Sequence, residues 1–149
     1  MTDLRAEDVI AALGLEPHPE GGCYRETWRE PAAGGGRAQA TSIYYLLRAG
    51  ERSAWHQVDA AELWCFHAGA PLELSLWAEG EPGVERATLG MDLAAGQRPQ
   101  ALVAPRRWQA ARSLGAWTLV GATVAPGFEF AGFRLAPAGW EPPRGTPAA

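Results

Sequence analysis

The chain has 149 residues, 47% hydrophobic and 20% charged, with a formal net charge of -4 and a pI near 5.4. Its size fits one domain spanning 1–149, and its charge argues against a nucleic-acid footprint, which needs a concentrated basic face. All 13 basic residues are arginine, which excludes a Schiff-base lysine, a phosphate-loop lysine and a lysine general base.

Taken from the N-terminus, "MTDLRAEDV" is charged and has no apolar signal core. No apolar run is long enough to span a membrane, so none is expected and a cytoplasmic address follows. Within the segment 1–14, residues 3–13 read as a helix. Asp3 would cap it, Ala6, Val9, Ile10 and Leu13 share a face, and Gly14 ends it. From Cys23 onward the pattern changes to period two. Strands are expected at 22–30, 39–48, 53–58, 62–68, 72–79, 83–89, 101–104, 107–112, 116–124 and 128–135. Short strands separated by Gly/Pro turns indicate a sandwich or a barrel. The loop "AAGGGR" reads as mobile, and the end 137–149, "PAGWEPPRGTPAA", as a flexible tail. Cys23 and Cys65 match no zinc spacing and are too few for a disulfide scaffold, so both are expected to be thiols.

The most specific pattern is "GERSAWHQVDAAELWCFHAG", residues 50–69. It resembles the first motif of the cupin superfamily, with Gly50, His56, Glu62 and Gly69 at the motif's intervals and Val58 where a second histidine would stand. In the second motif Pro105 matches, Arg107 replaces a glycine and Ala110 replaces a histidine. The segments "HPEGGCYRETW", "TSIYYLL", "HAGAPLEL", "PQALVAPRRWQAA" and "TLVGATVAPGFEFAGF" extend the resemblance from about Leu13 to Leu135. They are similar to a narrower cupin family described as predicted sugar epimerases. The resemblance implies an all-β double-stranded β-helix, a jelly-roll barrel, commonly assembled as a homodimer. Two of its four metal-ligand positions, Val58 and Ala110, are apolar here. His56 and Glu62 alone fall short of the three protein ligands a metal centre needs, so neither metal nor cofactor is expected.

Strand parity then places side chains. With Glu62 inward, as its cupin position implies, Trp64 and Phe66 also point inward, while Cys65 and His67 point out. Trp108 shares parity with Ala110 and is expected to face the pocket. Tyr44 and Tyr45 lie on opposite faces, so only one can reach it. In the epimerases that the chain resembles, an early strand carrying Arg and Glu crosses the pocket mouth, and "PEGGCYRET" is similar in character. Tyr24, Glu26 and Trp28 alternate there with Cys23, Arg25 and Thr27, and the sequence leaves open which set faces the pocket. The plainer alternative is an edge strand whose charges deter aggregation.

Two functions follow. The first is an isomerase or epimerase acting on a sugar or sugar nucleotide without a metal. His56 would be the general base, Tyr24 or Tyr44 the acid, and Arg25 a phosphate or enolate contact. Glu20, Asp59 and Glu62 are all candidates to orient His56. The second is a non-catalytic module binding a small carbohydrate-like ligand through Glu20, Arg25, Glu26, Glu62, Trp64 and Trp108. A histidine and a tyrosine facing each other across a ligand-sized gap would favour the first and an unopposed histidine the second. The plain reading of His56 is an ordinary buried histidine bonded to a backbone carbonyl.

Overall fold

The computed structural model describes residues 3–143. Helix α1, Ala6–Leu13, starts later than the sequence suggests. Asp3 does not cap it. The Asp8 carboxylate instead accepts the backbone N–H of Arg5 at 2.9 Å, satisfying one of the donors that a helix start leaves free. Its apolar face, with Ala6 and Val9 buried, closes on Leu15, Cys23, Leu46 and Leu119.

Eleven strands follow: β1 (Glu16–Pro17), β2 (Cys23–Glu30), β3 (Ala40–Arg48), β4 (Arg52–Val58), β5 (Ala61–Gly69), β6 (Leu72–Trp77), β7 (Glu85–Leu89), β8 (Gln100–Val103), β9 (Trp108–Ser113), β10 (Trp117–Ala125) and β11 (Phe133–Leu135). They form a six-stranded sheet ordered β1-β2-β3-β10-β5-β8 and a five-stranded sheet ordered β11-β4-β9-β6-β7. Pairing between the named strands is antiparallel throughout, and the two sheets face each other as a jelly-roll barrel. The expected strand 128–135 is shorter, because a 3-10 turn at Phe130–Gly132 precedes β11.

One half of the barrel is filled. Tyr45, Leu47, Trp64, Leu72, Leu74, Leu76, Leu89, Val103, Ala111 and Val120 form a single buried cluster between the sheets. Outside the five-stranded sheet a second cluster gathers Trp55, Trp77, Trp108 and Ala110 beneath Trp140. Residues 137–143 are therefore not a free tail. Trp140 stacks on Trp108 at 4.6 Å, and Glu141 accepts the indole N–H of Trp55 at 2.9 Å. The remainder of the expected tail, 144–149, lies outside the described residues.

Candidate functional site

The other half of the barrel is hollow. A cavity of about 320 Å³ opens at the end where the loop before β2 presents His18 and Glu20, β2 presents Tyr24, Glu26 and Arg29, β4 presents His56 and β5 presents Glu62. Its walls are completed by Thr41, Ile43, Val58, Ala122, Val124 and the segment Phe128–Phe130.

Glu20 reaches this cavity because of the loop His18–Gly22. The loop is closed by two backbone bonds, His18 N–H to Gly22 O at 2.9 Å and Gly21 N–H to His18 O at 3.0 Å. Gly21 and Gly22 both have positive φ, 108° and 74°. A Cβ on Gly21 would run into the Arg52 carbonyl, and one on Gly22 would lie 2.7 Å from the Leu46 carbonyl oxygen. Only glycine fits a left-handed backbone so close to other strands. The Glu20 carbonyl accepts the Ala54 N–H at 2.8 Å, and the Tyr45 hydroxyl donates to the Gly21 carbonyl. These ties press the Glu20 side chain into the barrel, 8% exposed.

There it meets His56, 2% exposed on β4. The Glu20 carboxylate lies 2.9 Å from Nδ1 of His56, and the Ala54 carbonyl lies 2.7 Å from the same nitrogen. Two acceptors on Nδ1 require that this nitrogen carry a proton, which fixes the ring's orientation. Ser53 Oγ donates to the same Glu20 oxygen at 2.6 Å. No hydrogen bond among the described residues takes up Nε2, and His56 lines the cavity. Burial alone would depress the imidazole, but the charge and hydrogen bond of Glu20 outweigh it and hold His56 at about 9. Burial would likewise raise Glu20, yet His56 keeps it below the usual carboxylate range.

Glu62 stands on β5 at the same cavity. Trp64 Nε1 donates to Gln109 Oε1 at 2.8 Å, and Gln109 Nε2 donates to Glu62 Oε1 at 2.8 Å. Oε2 accepts no hydrogen bond among the described residues. Burial first, and the Glu20 charge second, push Glu62 up to about 7. His18 contacts Tyr24 edge-on at 4.5 Å and is lowered from its ordinary value, chiefly by burial.

The site residues expected from the sequence fall into two groups. Glu20, Tyr24, Glu26, His56 and Glu62 line one cavity, and Trp64 lies beneath it, joined to Glu62 through Gln109. Tyr44, Arg25 and Trp108 do not reach it. Tyr44 packs on the outer face near α1 and His67, and Tyr45 is the inward member of the pair. Arg25 also points outward, its guanidinium donating to the Leu13 carbonyl at 3.2 Å. Trp108 lies under Trp140, because β9 turns odd residues inward: Gln109, rather than Ala110, faces Glu62. Of the acids proposed to orient His56, Asp59 is excluded by its fork with Arg37 at 2.7 and 2.9 Å. Glu20 holds that place.

Sequence reasoning missed three participants. Gln109 was hidden by the one-residue offset in β9. His18 and Arg29 lay at the two ends of the charged segment, and Arg29 enters because a bulge between Glu26 and Trp28 leaves Thr27 without a partner and reverses the inward parity.

The donor set does not fit the metal centre that the cupin motifs imply. Val58 offers hydrocarbon, Ala110 faces out of the barrel, and the inward neighbour Gln109 turns its amide N–H toward Glu62. Among the described residues no three His, Cys, Asp or Glu side chains form a metal-holding group.

Comparison with known proteins follows the same lines. A structure of a protein from Shewanella oneidensis is 43% identical, with a TM-score of 0.84, covering 90% of this chain and 85% of that one. A hypothetical protein from Leishmania major is 28% identical, with a TM-score of 0.79, covering 88% and 86%. A dTDP sugar isomerase from Desulfovibrio desulfuricans G20 is 14% identical, with a TM-score of 0.57, covering 78% and 85%, a likeness that speaks for the fold alone. No curated protein gives a significant match. Residues 7–136 match the family described as Cupin superfamily (DUF985), and the chain belongs to that family.

Proposed function

We propose that the open end of the barrel binds a small molecule and moves a proton on it, as an isomerase or epimerase of a carbonyl compound such as a sugar. The observation that carries this reading is His56: its Nδ1 is held by Glu20 and Ala54, which leaves Nε2 for the cavity that Glu62 also lines. A buried imidazole positioned by a carboxylate is suited to proton transfer, and a merely structural histidine would spend both nitrogens on the protein.

The charge states reverse the role that the sequence suggests for His56. With His56 at about 9, the imidazole holds its proton at neutral pH and serves as donor. Glu62, at about 7, is the better acceptor. In this reading Glu62 takes the proton from the carbon beside the carbonyl, and His56 gives one to the carbonyl oxygen. His56, now neutral, then takes the proton of the other enediol hydroxyl while Glu62 gives its proton to the former carbonyl carbon, which yields the isomer and restores both groups. For an epimerisation, Tyr24, whose hydroxyl has no partner among the described residues, delivers its proton to the opposite face of the first carbon while His56 takes back the enediol proton, and solvent then carries the Glu62 proton to the tyrosinate.

The exclusion of Tyr44 from the cavity favours the second reading, a non-catalytic binding module, because it removes one of the two tyrosine acids. Deuterium uptake at the carbon beside the carbonyl, followed by proton NMR in D2O over a panel of aldoses and ketoses, separates the two. Exchange with the native protein that disappears in His56→Asn/Glu20→Gln supports proton transfer. Compounds that bind without exchange leave only the binding module. The paired substitution is needed because His56→Asn alone strands the buried Glu20 carboxylate.

A further inference from the structure

We infer that the cavity takes a compact cation, a molecule carrying a protonated amine, and disfavours phosphorylated and nucleotide-linked ligands. The inference rests on reading this cavity as the ligand site and names the chemical class that the site accepts.

Two of the ion pairs at the cavity are already complete. Glu20 is paired with His56 at 2.9 Å. Among the described residues Arg29 is the only arginine lining the cavity, and Glu26 already holds it in a fork, with Nε at 2.7 Å and Nη2 at 3.3 Å. A phosphate entering here would have to break that fork, and the chain offers no lysine in its place. Two carboxylates stand outside these pairs, Glu62 on the floor, which feels the His56 charge at a distance, and Glu129 at the mouth, and neither forms an ion pair among the described residues. Arg37 feels the charge of Glu129, but both of its terminal nitrogens are bound to Asp59.

The floor carboxylate is more than one acid in a cluster. Glu62 is 7% exposed and lines the cavity, its Oε1 is fixed by Gln109, and its Oε2 accepts no hydrogen bond among the described residues. A carboxylate largely withdrawn from water with one oxygen still unbonded can take a donor from the ligand, and a charged N–H gives the stronger bond. The walls complete the match. Tyr24, Phe128 and Phe130 line the approach, and aromatic faces attract ammonium groups. Carboxylate floor, aromatic walls and acidic mouth together describe amine recognition.

Three fragments of one size test this: benzylamine, benzyl alcohol and benzoate, titrated calorimetrically at neutral pH into the full chain. Benzylamine is expected to bind at least about tenfold more tightly than either of the others, a difference of roughly 1.4 kcal/mol. Glu62→Gln keeps the shape and the Gln109 contact, and it should erase most of that preference. Glu129→Gln, at the exposed mouth, should reduce it less. Benzoate or inorganic phosphate binding as tightly as benzylamine would overturn the inference, and so would no binding of benzylamine at millimolar concentration. The proton-transfer reading fails separately. Amine preference without deuterium exchange on any compound sinks that reading alone, and exchange on a phosphorylated sugar sinks this inference alone.

Discussion

The same strands build the closed and the open half of the barrel, and they do so with opposite chemistry. Along β3, Tyr45 and Leu47 fill the closed half, whereas Thr41 and Ile43 line the cavity. Along β5 the change falls between Trp64, packed in the core, and Glu62, at the cavity. Along β10 it falls between Val120 and Ala122, where the inward side chain becomes too small to span the barrel. The closed half buries aliphatic surface, at about 25 cal/mol per Å², and needs nothing from solution. The open half buries ionisable groups that are only partly satisfied. Stability and chemistry are thus separated along each strand, and substitutions on either side of that boundary should have different effects.

The largest effect is expected in the open half. His56→Asn/Glu20→Gln should remain folded and slow proton exchange by about 10²–10⁴, the usual worth of a positioned acid or base. Deuterium uptake measures this, and an unchanged rate would remove His56 from the mechanism. In the closed half, Leu74→Ala should cost about 2–5 kcal/mol in chemical denaturation, since Leu74 is fully buried. The folded fraction of that variant should keep the native exchange rate. If it does not, the two halves are not separable.

A smaller effect sharpens the comparison within the open half. In Glu20→Gln the His56 titration, followed by NMR, should fall from about 9 toward its ordinary 6.5 by more than one unit. Each unit corresponds to about 1.4 kcal/mol. The folded value of His56 lies above its ordinary value, so its stabilising contribution is complete below 6.5 and is lost as pH rises through about 9. Glu62 is also raised, from 4.5 to about 7, so the native state is disfavoured as that carboxyl ionises. Stability should therefore decline in two steps as pH rises, from 4.5 to about 7 for Glu62 and from 6.5 to about 9 for His56, and Glu62→Gln should remove the lower one. The smallest effect belongs to Tyr44→Phe. It should leave exchange unchanged and move stability within about 0.5 kcal/mol, whereas Tyr24→Phe should slow exchange.

Much of this was legible in the sequence, for reasons that also mark where legibility ended. Period-two patterning located most of the strands, and the cupin interval between His56 and Glu62 placed both at the barrel interior. Parity along β5 carried Trp64 inward and His67 outward as expected. It failed wherever the period was broken locally. The bulge at Thr27 switches the inward set within β2, so Glu26 and Arg29 both reach the cavity. The turn before β9, with Arg106 at a positive φ of 64°, sets a register in which Gln109 points inward and Trp108 points out. Glu20 lies in a loop with no period to read, and its place depends on contacts from β3 and β4 that are distant in sequence. Trp140 sits among prolines and glycines, a composition typical of tails, and its docking is set by a partner surface made of three other strands.

That docking gives the molecule an optical signature. Four of its seven tryptophans, Trp55, Trp77, Trp108 and Trp140, share one cluster, with Trp108 and Trp140 only 4.6 Å apart and tilted at 37°. Indoles held this close in a fixed chiral arrangement couple their transitions, so the near-ultraviolet circular dichroism should carry a strong band from this cluster. Trp64 is the indole that touches the cavity network, through Gln109. Removing Trp140 should erase the coupled band and leave the emission of Trp64 in place. One spectrum would then report the seating of the C-terminal segment, and the other the state of the cavity floor.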